Sequence, residues 1–187
     1  MYYTTGKHQL DLCGIALPGR VLDIGGGGEG IMARHLGDGV IVIDKRWDEL
    51  EESPDVGIKI IMDGCDLQFL DNTFDNATYF YSLMYMNEEN AAKSLREAWR
   101  VLKPGGHLWI WDATIPRPAA ADVFLVPLEI KLADEVIQVT YGVSWLKEQS
   151  LQSVAAMCGN AGFVIAESMS EGPHFFLKAA KLQAKAE

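Results

Sequence analysis

Apolar and polar positions fall along this chain in short blocks whose period changes in a regular order. Arg20–Ile24 is a compact apolar run suited to a buried strand. Ile31–Leu36 steps as a helix, Gly37-Asp38-Gly39 turns the chain back, and Val40–Ile43 is a second apolar run. Trp47–Glu52 reads as a short acidic helix stopped at Ser53-Pro54. Ile58–Met62 is a third strand ending at Asp63-Gly64, followed by a helical turn over Asp66–Phe69. Ala77–Tyr81 is a fourth strand. Glu88–Leu102 carries Ala92, Leu95, Trp99 and Leu102 at three- and four-residue steps, an amphipathic helix that Lys103-Pro104-Gly105-Gly106 must end. Leu108–Trp111 is a fifth strand, ending at Asp112. Such alternation predicts an α/β fold with a mostly parallel sheet and helices on both faces.

Ala113–Trp145 breaks the alternation. Ile115-Pro116-Arg117-Pro118 is a stiff extended segment, and Glu129–Leu132 with Val136–Thr140 around Ala133-Asp134-Glu135 predicts a β-hairpin insertion after strand five. Pro127 would confine any longer first strand to an edge. Helical periodicity resumes over Leu146–Met157, and Phe163–Glu167 with His174–Ala179 finishes the sheet as an antiparallel pair. Residues 1–17 read as a short helix or arm, with Tyr2, Tyr3 and Lys7 placed to fold over a site as a lid. The tail from Lys178 reads as frayed. A chain of 187 residues makes one domain, 1–187.

Composition narrows the partners. The net charge is −10, with acids concentrated between Asp44 and Asp55, so a broad phosphate-neutralising face is absent. The expectation is no nucleic acid and no membrane as partner. Cys13, Cys65 and Cys158 are odd in number and widely spaced. That predicts small apolar fillers in place of disulfides or a metal site, and a cytoplasmic location. The opening residues, with no apolar h-region following Lys7, predict no secretory leader, and no apolar run in the sequence is long enough to span a bilayer.

The chemistry concentrates in Val21-Leu22-Asp23-Ile24-Gly25-Gly26-Gly27-Gly28-Glu29-Gly30. An apolar strand ends in a sharp glycine turn before a helix, which suits a nucleotide-type cofactor because backbone can approach a ligand where a Cβ would collide. Gly25, Gly27 and Gly30 satisfy G-x-G-x-x-G, and Asp44 follows at the distance of a ribose-binding acid, so an NAD-dependent oxidoreductase is one reading. Asp23 argues for another, since a carboxylate on a buried strand end suits a ligand that carries a cation. A third reading is a non-catalytic cofactor-binding module whose hairpin mediates association.

Val21-Leu22-Asp23-Ile24-Gly25-x-Gly27, Asp44 after strand two, Asp63-x-x-x-Leu67-x-Phe69, Phe74-Asp75 and Leu102-Lys103-Pro104-Gly105-Gly106 occur in one order. Together they resemble the class I S-adenosylmethionine-dependent methyltransferases over Arg20–Asp112. The resemblance implies a Rossmann-like seven-stranded sheet, S-adenosylmethionine as cofactor, and direct methyl transfer to a small-molecule acceptor. It places Gly25, Gly26, Gly27 and Gly28 under the methionine and ribose, and Asp23 toward the methionine amino group. It puts Asp44, with Lys45 beside it, at the ribose hydroxyls, Asp63 with Gly64 and Cys65 at the adenine, and Ser82 at the sulfonium. Glu29 departs from the family's G-x-G-x-G, standing either as a favourable carboxylate at a helix mouth or as an intruder on the ligand. Trp47 is a candidate to stack near the adenine. Candidates beside the acceptor are Asp112, Tyr81, Tyr85, Tyr141 and His174; no catalytic residue is assigned. The 113–145 insertion is expected either to join two copies as a homodimer or to cap the acceptor pocket.

Overall fold

The computed structural model describes residues 1–117 and 121–183. Its larger sheet has seven strands in the order β10-β11-β7-β6-β3-β4-β5. In chain order these are β3 (Val21–Ile24), β4 (Val40–Asp44), β5 (Ile58–Ile61), β6 (Phe74–Phe80), β7 (Leu102–Ala113), β10 (Val164–Glu171) and β11 (His174–Ala180). Strands β3 to β7 are mutually parallel, and β11 runs antiparallel to both β7 and β10. The helices are α1 (Ile31–Leu36), α2 (Trp47–Glu52), α3 (Glu88–Val101) and α4 (Leu151–Ala161). The strand order reverses between β3 and β6, so the carboxyl ends of those strands open a crevice.

Side-chain alternation explains the layers. Leu22 and Ile24 of β3 join Leu108, Ile110 and Leu177 under α3 and α4. Val21, Val40 and Val42 face α1 and Leu50 of α2. The central strands β3 and β6 are buried on both sides, which is why their runs are nearly continuous in apolar residues.

Four further strands build a second sheet: β1 (Tyr2–Thr4), β2 (His8–Asp11), β8 (Val123–Lys131) and β9 (Val136–Ser144). Both N-terminal strands pair in parallel with β8, which pairs antiparallel with β9 on its other side. The arm is therefore sheet and not helix or lid: Tyr3 stacks on Phe124 at 5.5 Å, and Lys7 pairs with Glu129 at 2.6 Å. Pro127 is central and not at an edge. The carbonyls of Leu125 and Lys131 accept from Thr5 and Leu12 N–H at 3.0 Å each. Pro127, in phase with both, turns its missing donor to the break between β1 and β2. The second sheet's apolar face, with Phe124, Val126, Leu128 and Ile130, covers Phe80, Trp111 and Phe176 of the large sheet beyond the reach of α1.

Three local expectations shift. The helix after the insertion starts at Leu151, where Ser150 and Ser153 form a reciprocal capping box, and not at Leu146. Residues 66–69 form turns without a helix. The tail does not fray at Lys178. Lys181 is buried, and its Nζ donates to the carbonyls of Trp99 (2.9 Å) and Leu102 (2.7 Å) at the end of α3 and to Asn72 Oδ1 (2.9 Å). The insertion's Pro118 lies outside the described residues.

Candidate active site

At the carboxyl ends of β3, β4 and β6 lies a cleft of about 490 Å³, and every cofactor residue expected from the sequence lines it: Asp23, Gly25, Gly26, Gly27, Gly28, Asp44, Lys45, Asp63, Gly64, Cys65 and Ser82. The glycine loop is shaped by what presses on it from behind. Gly25 (φ 74°) and Gly28 (φ 64°) take the left-handed conformation. A Cβ on Gly27 would lie 2.5 Å from Cβ of Glu49, so the loop can seat on α2 only without a side chain. Gly28 N–H seals that seat by donating to Glu49 O at 2.8 Å.

Asp23 is fully buried, as β3 is central. Thr78 Oγ1 on β6 donates to its Oδ1 at 2.6 Å, while Oδ2 points toward Gly26 with no partner among the described residues. Burial pushes this carboxyl up to about 7. Asp44 Oδ1 accepts from Arg46 N–H at 2.9 Å, a turn that holds the carboxylate, and Oδ2 faces Gly27. Asp63 Oδ1 likewise accepts from Cys65 N–H at 2.8 Å. Gly64 is needed because a Cβ there would meet Ile24 at 2.8 Å. Ser82 Oγ donates to Ile24 O at 2.7 Å, tying the end of β6 to that of β3.

These residues fit a nucleoside bearing an amino-acid arm. Two loop-held carboxylates face the cleft where a diol and an amino group need acceptors. A bare backbone floor admits the sugar, and the unpartnered Asp23 Oδ2 is suited to a cationic ammonium. They fit the dinucleotide fingerprint poorly. Gly30 does not line the cleft. Its φ is 57°, and a Cβ there would lie 2.8 Å from Cδ of Pro54, so this glycine serves the packing of the loop. Glu29 also lines the cleft.

The acceptor candidates divide. Tyr81, Tyr85 and Tyr141 line the cleft together, with Tyr141 coming from β9. Tyr141 and Tyr81 stack at 5.3 Å. Burial raises Tyr85 to about 12 and holds Tyr81 and Tyr141 well above the ordinary phenol range. His174 stands behind Tyr81, outside the cleft lining. Asp112 is a structural residue. Fully buried, it accepts from Met84 and Ala113 N–H and from Gln149 Nε2, and so fixes the loop after β6. Trp47 is largely exposed and does not line the cleft. Of the cysteines, Cys158 alone is a buried core residue, while Cys13 is exposed and Cys65 borders the cleft.

Glu49, Met62, Asn90 and residues 139–142 also line the cleft. The acid cluster after Asp44 was a signal for Glu49. Tyr141 was already a candidate, but nothing local marks Val139, Thr140 and Gly142, which arrive by pairing across the second sheet.

This sheet order, glycine loop and set of acids are consistent with a class I S-adenosylmethionine-dependent methyltransferase. Residues 22–110 match the family model described as a methyltransferase domain. A relative named ubiquinone/menaquinone biosynthesis C-methyltransferase, from Desulfotalea psychrophila, is 33% identical over 113 residues, 56% of this chain and 45% of the relative. The chain thus spans about half the length of that protein. Among solved structures, a SAM-dependent methyltransferase from Methanosarcina mazei superposes with a TM-score of 0.64 at 16% identity, over 91% of this chain and 95% of its own. One from Mesorhizobium loti gives 0.61 at 17% identity, over 87% and 90%. At these identities the structures speak for the fold.

Among the described residues no helix is long and apolar enough to cross a membrane.

Proposed function

We propose that this protein transfers a methyl group from S-adenosylmethionine to a small molecule bound between the glycine loop and the second sheet. The observation that carries the reading is the Asp23 carboxylate, buried under a side-chain-free loop with Oδ2 unpartnered. Bound in the cleft, S-adenosylmethionine supplies an electrophilic methyl on sulfur. The chain's own residues orient and exclude water. Asp44 and Asp63 accept hydrogen bonds from the nucleoside, Gly25–Gly28 give it a flat floor, and Tyr81, Tyr85 and Tyr141 wall off the reacting end. Alignment is the main contribution the protein makes to such a displacement.

The second sheet supports a cap for the acceptor in preference to a dimer interface: β9 lends Tyr141 and residues 139–142 to the cleft. The D. psychrophila relative's name favours a carbon acceptor on a quinone precursor as a second reading. Isothermal titration with S-adenosylhomocysteine tests the cofactor assignment. Micromolar binding is expected, and binding of NAD in its place would overturn it.

A further inference from the structure

Tyr81 has an unusual backbone. At the end of β6 it adopts φ 50°, a left-handed conformation that a bulky residue adopts only when its surroundings enforce it. That conformation sends the ring past the end of β7 to the start of β11, where Tyr81 Oη meets His174 Nδ1 at 2.9 Å. His174 is 3% exposed, and its Nε2 has no partner among the described residues. Each ring of this couple is covered by one from the second sheet. Tyr141 of β9 stacks on Tyr81 at 5.3 Å, and His8 of β2 stacks on His174 at 4.0 Å. Two elements with no place in the large sheet therefore lock a tyrosine–histidine pair, and its tyrosine lines both the cofactor cleft and a small adjoining cavity shared with His174.

The hydrogen-bond count shows what the pair offers. A phenol can donate once and accept twice, and Tyr81 Oη has one partner, His174 Nδ1, among the described residues. If Tyr81 donates to Nδ1, its acceptor capacity stays free; if it accepts, its own proton is free. In either tautomer the hydroxyl can engage one more group. Burial lowers the imidazole to about 4, so at neutral pH His174 is an uncharged partner that fixes the phenol. Glu29 and the other acids lining the cleft disfavour an anionic acceptor.

We propose that the Tyr81 hydroxyl hydrogen-bonds the heteroatom of the methyl acceptor, that His174 is its positioning residue, and that the acceptor is an uncharged oxygen or nitrogen nucleophile carrying an exchangeable proton. The inference rests on the methyltransferase reading above. A soft thiolate would gain little from this couple, while a hydroxyl or amine is oriented by it.

Tyramine, which carries a phenol and an amine, serves as the probe with radiolabelled S-adenosylmethionine, and thiophenol as the contrast. Transfer to tyramine is expected, with kcat lowered about 100-fold in Tyr81→Phe and His174→Leu, the cost of a misplaced reacting group. His174→Asn, whose amide can replace the Nδ1 contact, should recover most of kcat. The affinity for S-adenosylhomocysteine should stay at the wild-type value in all three. Transfer to thiophenol alone, transfer to neither probe, full kcat in Tyr81→Phe, or no recovery in His174→Asn each overturns the proposal while S-adenosylhomocysteine binding persists. Loss of that binding in the wild type overturns the reading beneath it instead.

Discussion

Thr78 and Asp23 face each other across β6 and β3, and a single 2.6 Å hydrogen bond from the hydroxyl occupies one carboxylate oxygen and leaves the other without a partner among the described residues. A buried half-satisfied carboxylate weakens a folded protein unless it serves a ligand. The pair places a latent charge beneath the glycine loop.

Stability without ligand should record that charge. The Asp23 carboxyl rises from 3.8 unfolded to about 7 folded, so the folded state holds the extra proton between those values. Its contribution is therefore full below about pH 4 and is lost as pH rises toward 7, by up to about 4 kcal/mol. Asp112, raised to about 6, acts in the same sense, and His174, lowered to about 4, in the opposite sense. Both cancel when Asp23→Asn is compared with wild type. The stability gained by the variant should grow from pH 4 to 7 and level off above, as read from urea midpoints; a pH-independent difference would contradict the burial argument.

Asp44 carries the ribose end. Its carboxylate is already oriented by Arg46 N–H, so Asp44→Ala removes charge-assisted acceptors without disturbing β4. S-adenosylhomocysteine affinity should fall about 10- to 100-fold by calorimetry, for hydrogen bonds to a charged group worth about 1.5–3 kcal/mol. Unchanged affinity would remove the assignment.

Gly27→Ala forces a methyl to within 2.5 Å of Glu49 Cβ. The loop or α2 must move, at a cost of about 1–3 kcal/mol. A lower melting temperature and weakened cofactor binding should appear together. Ala at Gly14, where a Cβ meets nothing within 4 Å, should leave cofactor binding intact.

Lys181 closes the end of α3 with its ammonium on several carbonyls. Lys181→Met takes this donor from the carbonyls of Trp99 and Leu102, while the Arg100 carbonyl keeps its bond from Asn72 N–H, and about 2–3 kcal/mol should be lost. In a chain of this size that is a fall of roughly 4–12 °C in melting temperature. A shift below about 1 °C would show that the chain end is free in solution.

The sheet, the glycine loop and the three acids that face it were legible because each is encoded within a few residues. A strand buried on both faces needs a continuous apolar run, a sharp turn needs glycine, and the polar residue that follows a strand lies at the sheet's carboxyl edge. Asp23, Asp44 and Asp63 all stand where those local rules place them. The same rules misread residues 1–17, since three- and four-residue edge strands carry almost no periodicity. They also misjudged Asp112, whose role comes from Gln149 and Met84 and not from its position at a strand end. The chain thus fixed locally which cofactor the cleft suits. The acceptor side was decided by tertiary structure: Tyr81 meets His174 across 93 residues of chain, and Tyr141 and His8 reach them by strand pairing. Hydrogen-bond register between distant strands depends on the whole sheet, and no short stretch of sequence specifies it.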